Sequence, residues 1–142
     1  MFDYEKEDRL NLFPPGKLRE EIMKGPYRIE WLDHYLEEKL PGVFMCSNDG
    51  ERVLEIGWSD RDVKEEIRKT CISIRGLDNK YAYFWFECTE RAKDAFYLYC
   101  RLWHRYKEGK ENTSHPEPPP DYPDLECPFP ECEWNEKRRK EI

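Results

Sequence analysis

Residues 41–57 read Pro41-Gly42-Val43-Phe44-Met45-Cys46-Ser47, then Asn48-Asp49-Gly50, then Glu51-Arg52-Val53-Leu54-Glu55-Ile56-Gly57. Two short runs of β-forming residues flank a turn, and Asp-Gly supplies the positive-φ position that a tight hairpin wants. Working outward, Ser59 or Asp60 reads as the N-cap of a helix running to about Lys69, with Val63 and Ile67 facing inward. Cys71 to Ile74 forms a short extended piece. Tyr81 to Cys88 is almost wholly aromatic and apolar, which predicts a central strand buried on both faces. Thr89 then opens the main helix, Arg91 to Tyr106, with Ala95, Leu98, Leu102 and Tyr106 as one stripe. The fold class is therefore α+β: a small antiparallel sheet, made of the hairpin and the aromatic strand, flanked by helices.

The flanks differ from this core in composition. Residues 1–40 form an N-terminal arm and helix, 41–106 the core, and 107–142 a proline-rich tail. The arm is charged with scattered aromatics and ends at Pro14-Pro15-Gly16. Lys17 to Lys24 reads as a short helix stopped by Gly25-Pro26, and Ile29 to Leu40 as an amphipathic helix with Ile29, Leu32, Leu36 and Leu40 on one face. The tail carries Pro116, Pro118, Pro119, Pro120 and Pro123, which exclude helix there and predict an extended strap. Its last residues, Asn135 to Ile142, read as a solvated, frayed end.

A chain of 142 residues supports one domain with appendages. Mean hydropathy is -1.03, yet aromatics make up 15%, and a few such rings bury large areas. No apolar run approaches the ~20 residues of a membrane helix. The N-terminus lacks a signal peptide's layout, so a cytoplasmic location is expected. The formal charge of -7 disfavours a non-specific nucleic-acid binder, because phosphate backbones attract basic surfaces. Glutamine is absent while Glu, Lys and Arg are plentiful, a bias that leans toward a heat-loving source.

Pro41-Gly42-Val43, Ile56-Gly57, Ser59-Asp60, Phe84-Trp85-Phe86-Glu87 and Cys100 with His104, in that order and spacing, resemble the GIY-YIG nuclease superfamily, most of all its compact archaeal members. The resemblance implies a family chemistry of phosphodiester hydrolysis. One tyrosine helps to activate water, an arginine stabilises the charged transition state, a helix glutamate holds a divalent metal, and a second tyrosine completes the site. Carried onto this chain, the first tyrosine falls on Phe44, the second on Glu55, the arginine on Glu66 and the glutamate on Tyr99. All four are replaced, and two replacements add negative charge where a phosphate would sit. Each lost group commonly costs ~10²–10³ in rate.

The resemblance therefore implies the family's fold in a catalytically inactive form, acting as a binding or scaffolding module for a protein partner or for self-association. Two rivals remain open. One is an active, Mg²⁺-dependent structure-selective DNA endonuclease with a rearranged site, in which Glu55, Glu66 and Glu87 would converge on Mg²⁺ or Ca²⁺; against this, Glu55 and Glu66 can simply pair with cations such as Arg52 and Lys64. The other is a nucleic-acid-binding protein that does not cleave. Phe2, Tyr4, Tyr122, Phe129 and Trp134 are candidate exposed aromatics for a partner contact.

Six cysteines are present. Cys100 and His104, four apart on a predicted helix, share one face. Cys127-Pro128-Phe129-Pro130-Glu131-Cys132 follows after the proline-rich return, and its prolines can aim both thiols at one point. Cys100, His104, Cys127 and Cys132 would complete a closed, structural Zn²⁺ site that pins the tail to the last helix. His115 is a spare ligand. The alternative is a buried Cys100, a surface His104, and a Cys127–Cys132 disulfide or free thiols.

Overall fold

The computed structural model describes residues 23–72, 79–110 and 113–141. The strands are β1 (Lys24–Arg28), β2 (Gly42–Ser47), β3 (Glu55–Ser59) and β4 (Tyr83–Cys88). They form one antiparallel sheet in the order β1-β4-β2-β3. A 3-10 turn at Ile29–Trp31 leads into a single helical turn, α1 (Leu32–Tyr35); the longer helices are α2 (Val63–Cys71), α3 (Ala92–Tyr106) and α4 (Glu133–Glu141). The fold is thus α+β, with helices on both sides of a small sheet. Among the described residues no helix is long and apolar enough to cross a membrane.

Strand alternation divides the core into two layers. Phe44 and Cys46 of β2 and Phe84 and Phe86 of β4 face Val63, Ile67 and Cys71 of α2, together with Ile29, Leu32 and Leu36. On the opposite face Val43, Met45, Ile56 and Trp85 meet Leu98 and Leu102 of α3. β4 is an interior strand, and Phe84, Trp85 and Phe86 are all buried, as their apolar run predicts.

Several boundaries differ from the sequence reading. Lys24 and Gly25-Pro26 do not end a helix; they lie in β1, an outer strand where a missing N–H is tolerated, beside a register shift between Lys24 and Tyr27. The stripe from Ile29 buries Ile29, Leu32 and Leu36, but the chain is extended at Leu36, so no helix reaches Leu40. Nor is the hairpin tight. Ser47 Oγ accepts from the N–H groups of Asp49 and Gly50, and Asp49 Oδ1 from those of Glu51 and Arg52. These side-chain bonds satisfy the backbone of a longer loop, so pairing resumes only at Glu55. The α2 cap is Asp62, whose side chain accepts from Glu65 N at 3.1 Å. Ser59 Oγ instead accepts from Arg61 and Asp62 N–H, shaping the approach. Cys71 ends α2, and beyond it Ile72 makes an isolated bridge to Asn79. The expected arm, with Phe2 and Tyr4, and most of the expected Lys17–Lys24 helix lie outside the described residues.

Gly57 sits opposite Phe44 in the β2–β3 register, and the Phe44 ring occupies the space a Cβ would need. That ring is itself buried. Gly57→Ala should therefore overpack the sheet and cost about 1–3 kcal/mol, read as a lower urea midpoint with an unchanged slope. An unaltered midpoint would show that the ring yields freely.

Candidate functional site

Phe44, Glu55, Glu66 and Tyr99 line one cavity of about 720 Å³, together with Gly57, Trp58, Lys69, Thr70, Asn79 and Lys80. β3 is an outer strand, so the cavity reaches round it from the α2 side, where Glu55 and Gly57 project, to the α3 side, where Ile56 and Trp58 meet Tyr99. The carboxylates carry cations, though not the expected ones. Glu55 lies 3.8 Å from Lys107, and Glu66 lies 3.7 Å from Lys69. Lys64 is instead 2.8 Å from Asp33. Tyr99 stacks on Trp58 with ring centroids 5.9 Å apart. Burial, and then the nearby Glu55 charge, push its phenol up to about 12, so near neutral pH it keeps its proton.

Glu87 does not join Glu55 and Glu66. It pairs with Val43, on the α3 face of the sheet, and lines a separate cavity with Cys88, Thr89 and Arg91. Burial raises its carboxyl above the usual range. The three-glutamate cluster allowed by the sequence does not form because strand alternation turns Glu87 to the face of the sheet opposite Glu55.

The second site lies where the tail meets α3. His104, His115, Cys127 and Cys132 each offer a donor atom, and these atoms all lie within 4.8 Å of one another. This His/Cys cluster can hold a metal ion. His104 Nδ1 donates toward Glu108 Oε2 at 3.0 Å, leaving Nε2 to face Cys127 Sγ at 3.3 Å. His115 Nδ1 donates to the Pro116 carbonyl at 2.9 Å, while its buried Nε2 has no hydrogen-bond partner. Both imidazoles are thus fixed by a bond at Nδ1, the arrangement that orients Nε2 as a metal ligand. Ring contacts hold them further: His115 stacks on Trp134 at 4.2 Å, and His104 meets Phe129 edge-on at 4.7 Å.

Cys100, expected as a ligand, lies outside the converging set. It is completely buried. Burial, and then the neighbouring Cys127, hold its thiol well above the ordinary value. Cys127 is pulled the other way: the Cys100 thiol is the largest cause, and His104, 3.3 Å from its sulfur, adds to it against the cost of burial. Cys100 therefore sits behind Cys127 as a hydrogen-bonding neighbour, outside the set of four donors. His115 takes the fourth place. The sequence offered it only as a spare should His104 point away; ten residues lie between the two, and the return of the strap brings their rings to a centroid distance of 5.5 Å.

What aims the tail is a residue that sequence reading placed in a frayed end. Asn135 is buried on α4. Its Oδ1 accepts from Cys127 N at 2.8 Å, and its Nδ2 donates to the carbonyls of Cys127 and Phe129, both at 3.1 Å. Leu125, Phe129 and Trp134 pack with Phe96, Tyr97 and Cys100 of α3. Phe129 and Trp134 are thus engaged within the molecule, and of the expected exposed aromatics within the described residues only Tyr122 is open to solvent. A cavity of about 600 Å³ leads to the cluster and carries Glu108, Glu131 and Glu133 on its walls, an acidic approach for a cation.

Comparison with protein-family models, curated proteins and solved structures finds no match to this chain.

The donor set makes a sharp prediction about variants. Cys100→Ala should keep one bound metal per chain, with affinity lowered by about 10–100-fold through loss of a supporting hydrogen bond. His115→Ala should lose stoichiometric metal on dialysis. Elemental analysis of the dialysed variants checks this, and the opposite ranking would return Cys100 to the ligand set.

Proposed function

We propose that this chain is a GIY-YIG-like protein without hydrolytic activity, a binding or scaffolding module whose tail is pinned to its last helix by a structural zinc ion. One observation carries the reading: the four positions to which the resemblance assigns catalytic roles surround a single cavity, and none offers the expected chemistry. Phe44 has no hydroxyl group to help activate water. Glu66 stands where a guanidinium would meet a phosphate, and Glu55 adds a second negative charge. Tyr99 is a phenol held at about 12, where the family's pattern calls for a metal-binding carboxylate. Lys69 and Lys107 temper these charges without supplying the planar fork of an arginine.

Zinc is favoured for the tail cluster by its chemistry. Two imidazoles and two thiolates form a soft, four-donor set of the type that closes structural zinc sites. Zn–S and Zn–N bonds of about 2.3 and 2.0 Å at a tetrahedral angle imply ligand atoms about 3.5 Å apart. The 3.3 Å between His104 Nε2 and Cys127 Sγ is close to that edge. With four protein donors no position stays open for water, so the ion's role is to hold the tail. The partner would be a protein or a second copy, for which Trp31 and Tyr35 are suited: they are 57% and 43% exposed, with His34 packed against both rings.

Incubated with Mg²⁺ and with branched or single-stranded DNA, the protein should produce no cleavage above a protein-free control. Metal-dependent cutting that disappears in Glu55→Ala or Glu66→Ala would establish the endonuclease reading in its place.

A further inference from the structure

Away from the tail cluster, a second pair of sulfur atoms meets in the core. Cys46 projects from β2 and Cys71 closes α2; their Sγ atoms are 2.7 Å apart, and both residues are completely buried. Their neighbours are apolar, among them Phe44, Ile67 and Phe84, so each thiol has the other as its polar contact.

The two backbones are held in place independently. β2 is paired on both sides, with Cys46 opposite Glu55 in β3 and Phe84 in β4, and the Cys46 carbonyl accepts from Leu54 N at 2.8 Å. The Cys71 carbonyl accepts from Lys80 N at 2.7 Å and from Tyr81 N at 3.3 Å. Both Cα positions are thereby fixed, and rotation about χ1 is the freedom left to each sulfur, so the fold keeps the two thiols within reach of one another. Two groups held in such proximity react as an intramolecular pair, with the ordering already accomplished.

We propose that Cys46 and Cys71 form a disulfide that ties α2 to the centre of the sheet, directly behind the cavity wall made by Phe44, Thr70 and Ile72. The sulfurs at 2.7 Å need only a small approach to reach a bond of ~2.05 Å. The oxidant is a low-molecular-weight disulfide. One cysteine thiolate attacks it, forming a mixed disulfide and releasing one thiolate. The second cysteine thiolate then attacks the protein sulfur of that mixed disulfide and expels the other. Two protons leave the cysteines and two electrons pass to the oxidant, which ends as two thiols.

Enclosure decides when this happens. In the folded, reduced chain the Cys71 thiol, and then burial, hold Cys46 far above the ordinary thiol value, and an oxidant has no path to either sulfur. Exchange therefore belongs to the folding chain, before α2 closes over β2. Once made, the bond is shielded from reductant by the same enclosure. It joins positions 25 residues apart, which restricts the unfolded chain.

The test uses the full-length chain, unfolded, reduced, and refolded in a mixture of oxidised and reduced glutathione with the oxidised form in excess. After acid quenching it is unfolded with a chelator present, alkylated and mapped by peptide mass. A peptide pair joined through Cys46 and Cys71 is expected, with a melting midpoint about 5–10 °C above that of the reduced chain. Alkylation of both Cys46 and Cys71, or their recovery in cross-links to other cysteines, would overturn the proposal.

Discussion

Two imidazoles whose Nδ1 atoms are already engaged, one by Glu108 and one by the Pro116 carbonyl, present their Nε2 atoms to a space shared with two cysteine sulfurs. A buried polar atom without a partner is costly, and His115 Nε2, an acceptor in this tautomer, is such an atom. A cation at the centre would relieve that cost and draw both thiols to the thiolate form. The tail's path depends on this meeting point. Residues 113–132 have no helix or strand of their own, and what fixes them is the cluster, the Asn135 bonds to Cys127 and Phe129, and the aromatic packing on α3.

The cluster also connects the tail to the cavity on the sheet. His104 and Tyr99 both project from α3; one faces the tail and the other lines the cavity beside Trp58. Lys107, one residue past the end of α3, reaches Glu55. The position of this helix therefore sets both sites at once. Leu98 and Leu102 seat it on the sheet while Phe96, Tyr97 and Cys100 receive the tail. A single amphipathic element thus carries two faces of different use, which accounts for the burial of Ala95 to Leu98 together with Cys100 and Leu102.

Much of this was legible in the chain. The Tyr81–Cys88 run, the inward Val63 and Ile67, and the stripe through Leu98 and Leu102 all follow from burial periodicity, and the structure places them accordingly. Three of the four donors were named from the sequence too: the proline-shaped turn is a local signal for Cys127 and Cys132, whereas His104 was reached through its i,i+4 spacing from Cys100, which lies outside the converging set. His115 was only a spare, since only the path of the strap brings it to His104. Asn135 was missed for a related reason: a polar residue within a charged run looks solvated until the backbone groups it satisfies are known. β1 was hidden behind Gly25-Pro26, a pair that breaks interior elements yet is acceptable in an outer strand. Local chemistry is readable along a sequence, whereas contacts between distant segments are decided by topology.

X-ray absorption at the zinc edge of the purified protein tests the central claim most directly. One zinc per chain, coordinated by two nitrogen and two sulfur atoms, is the predicted result. A shell of three sulfurs and one nitrogen would put Cys100 in place of His115, and protein free of metal with Cys127 and Cys132 openly reactive would contradict the account altogether.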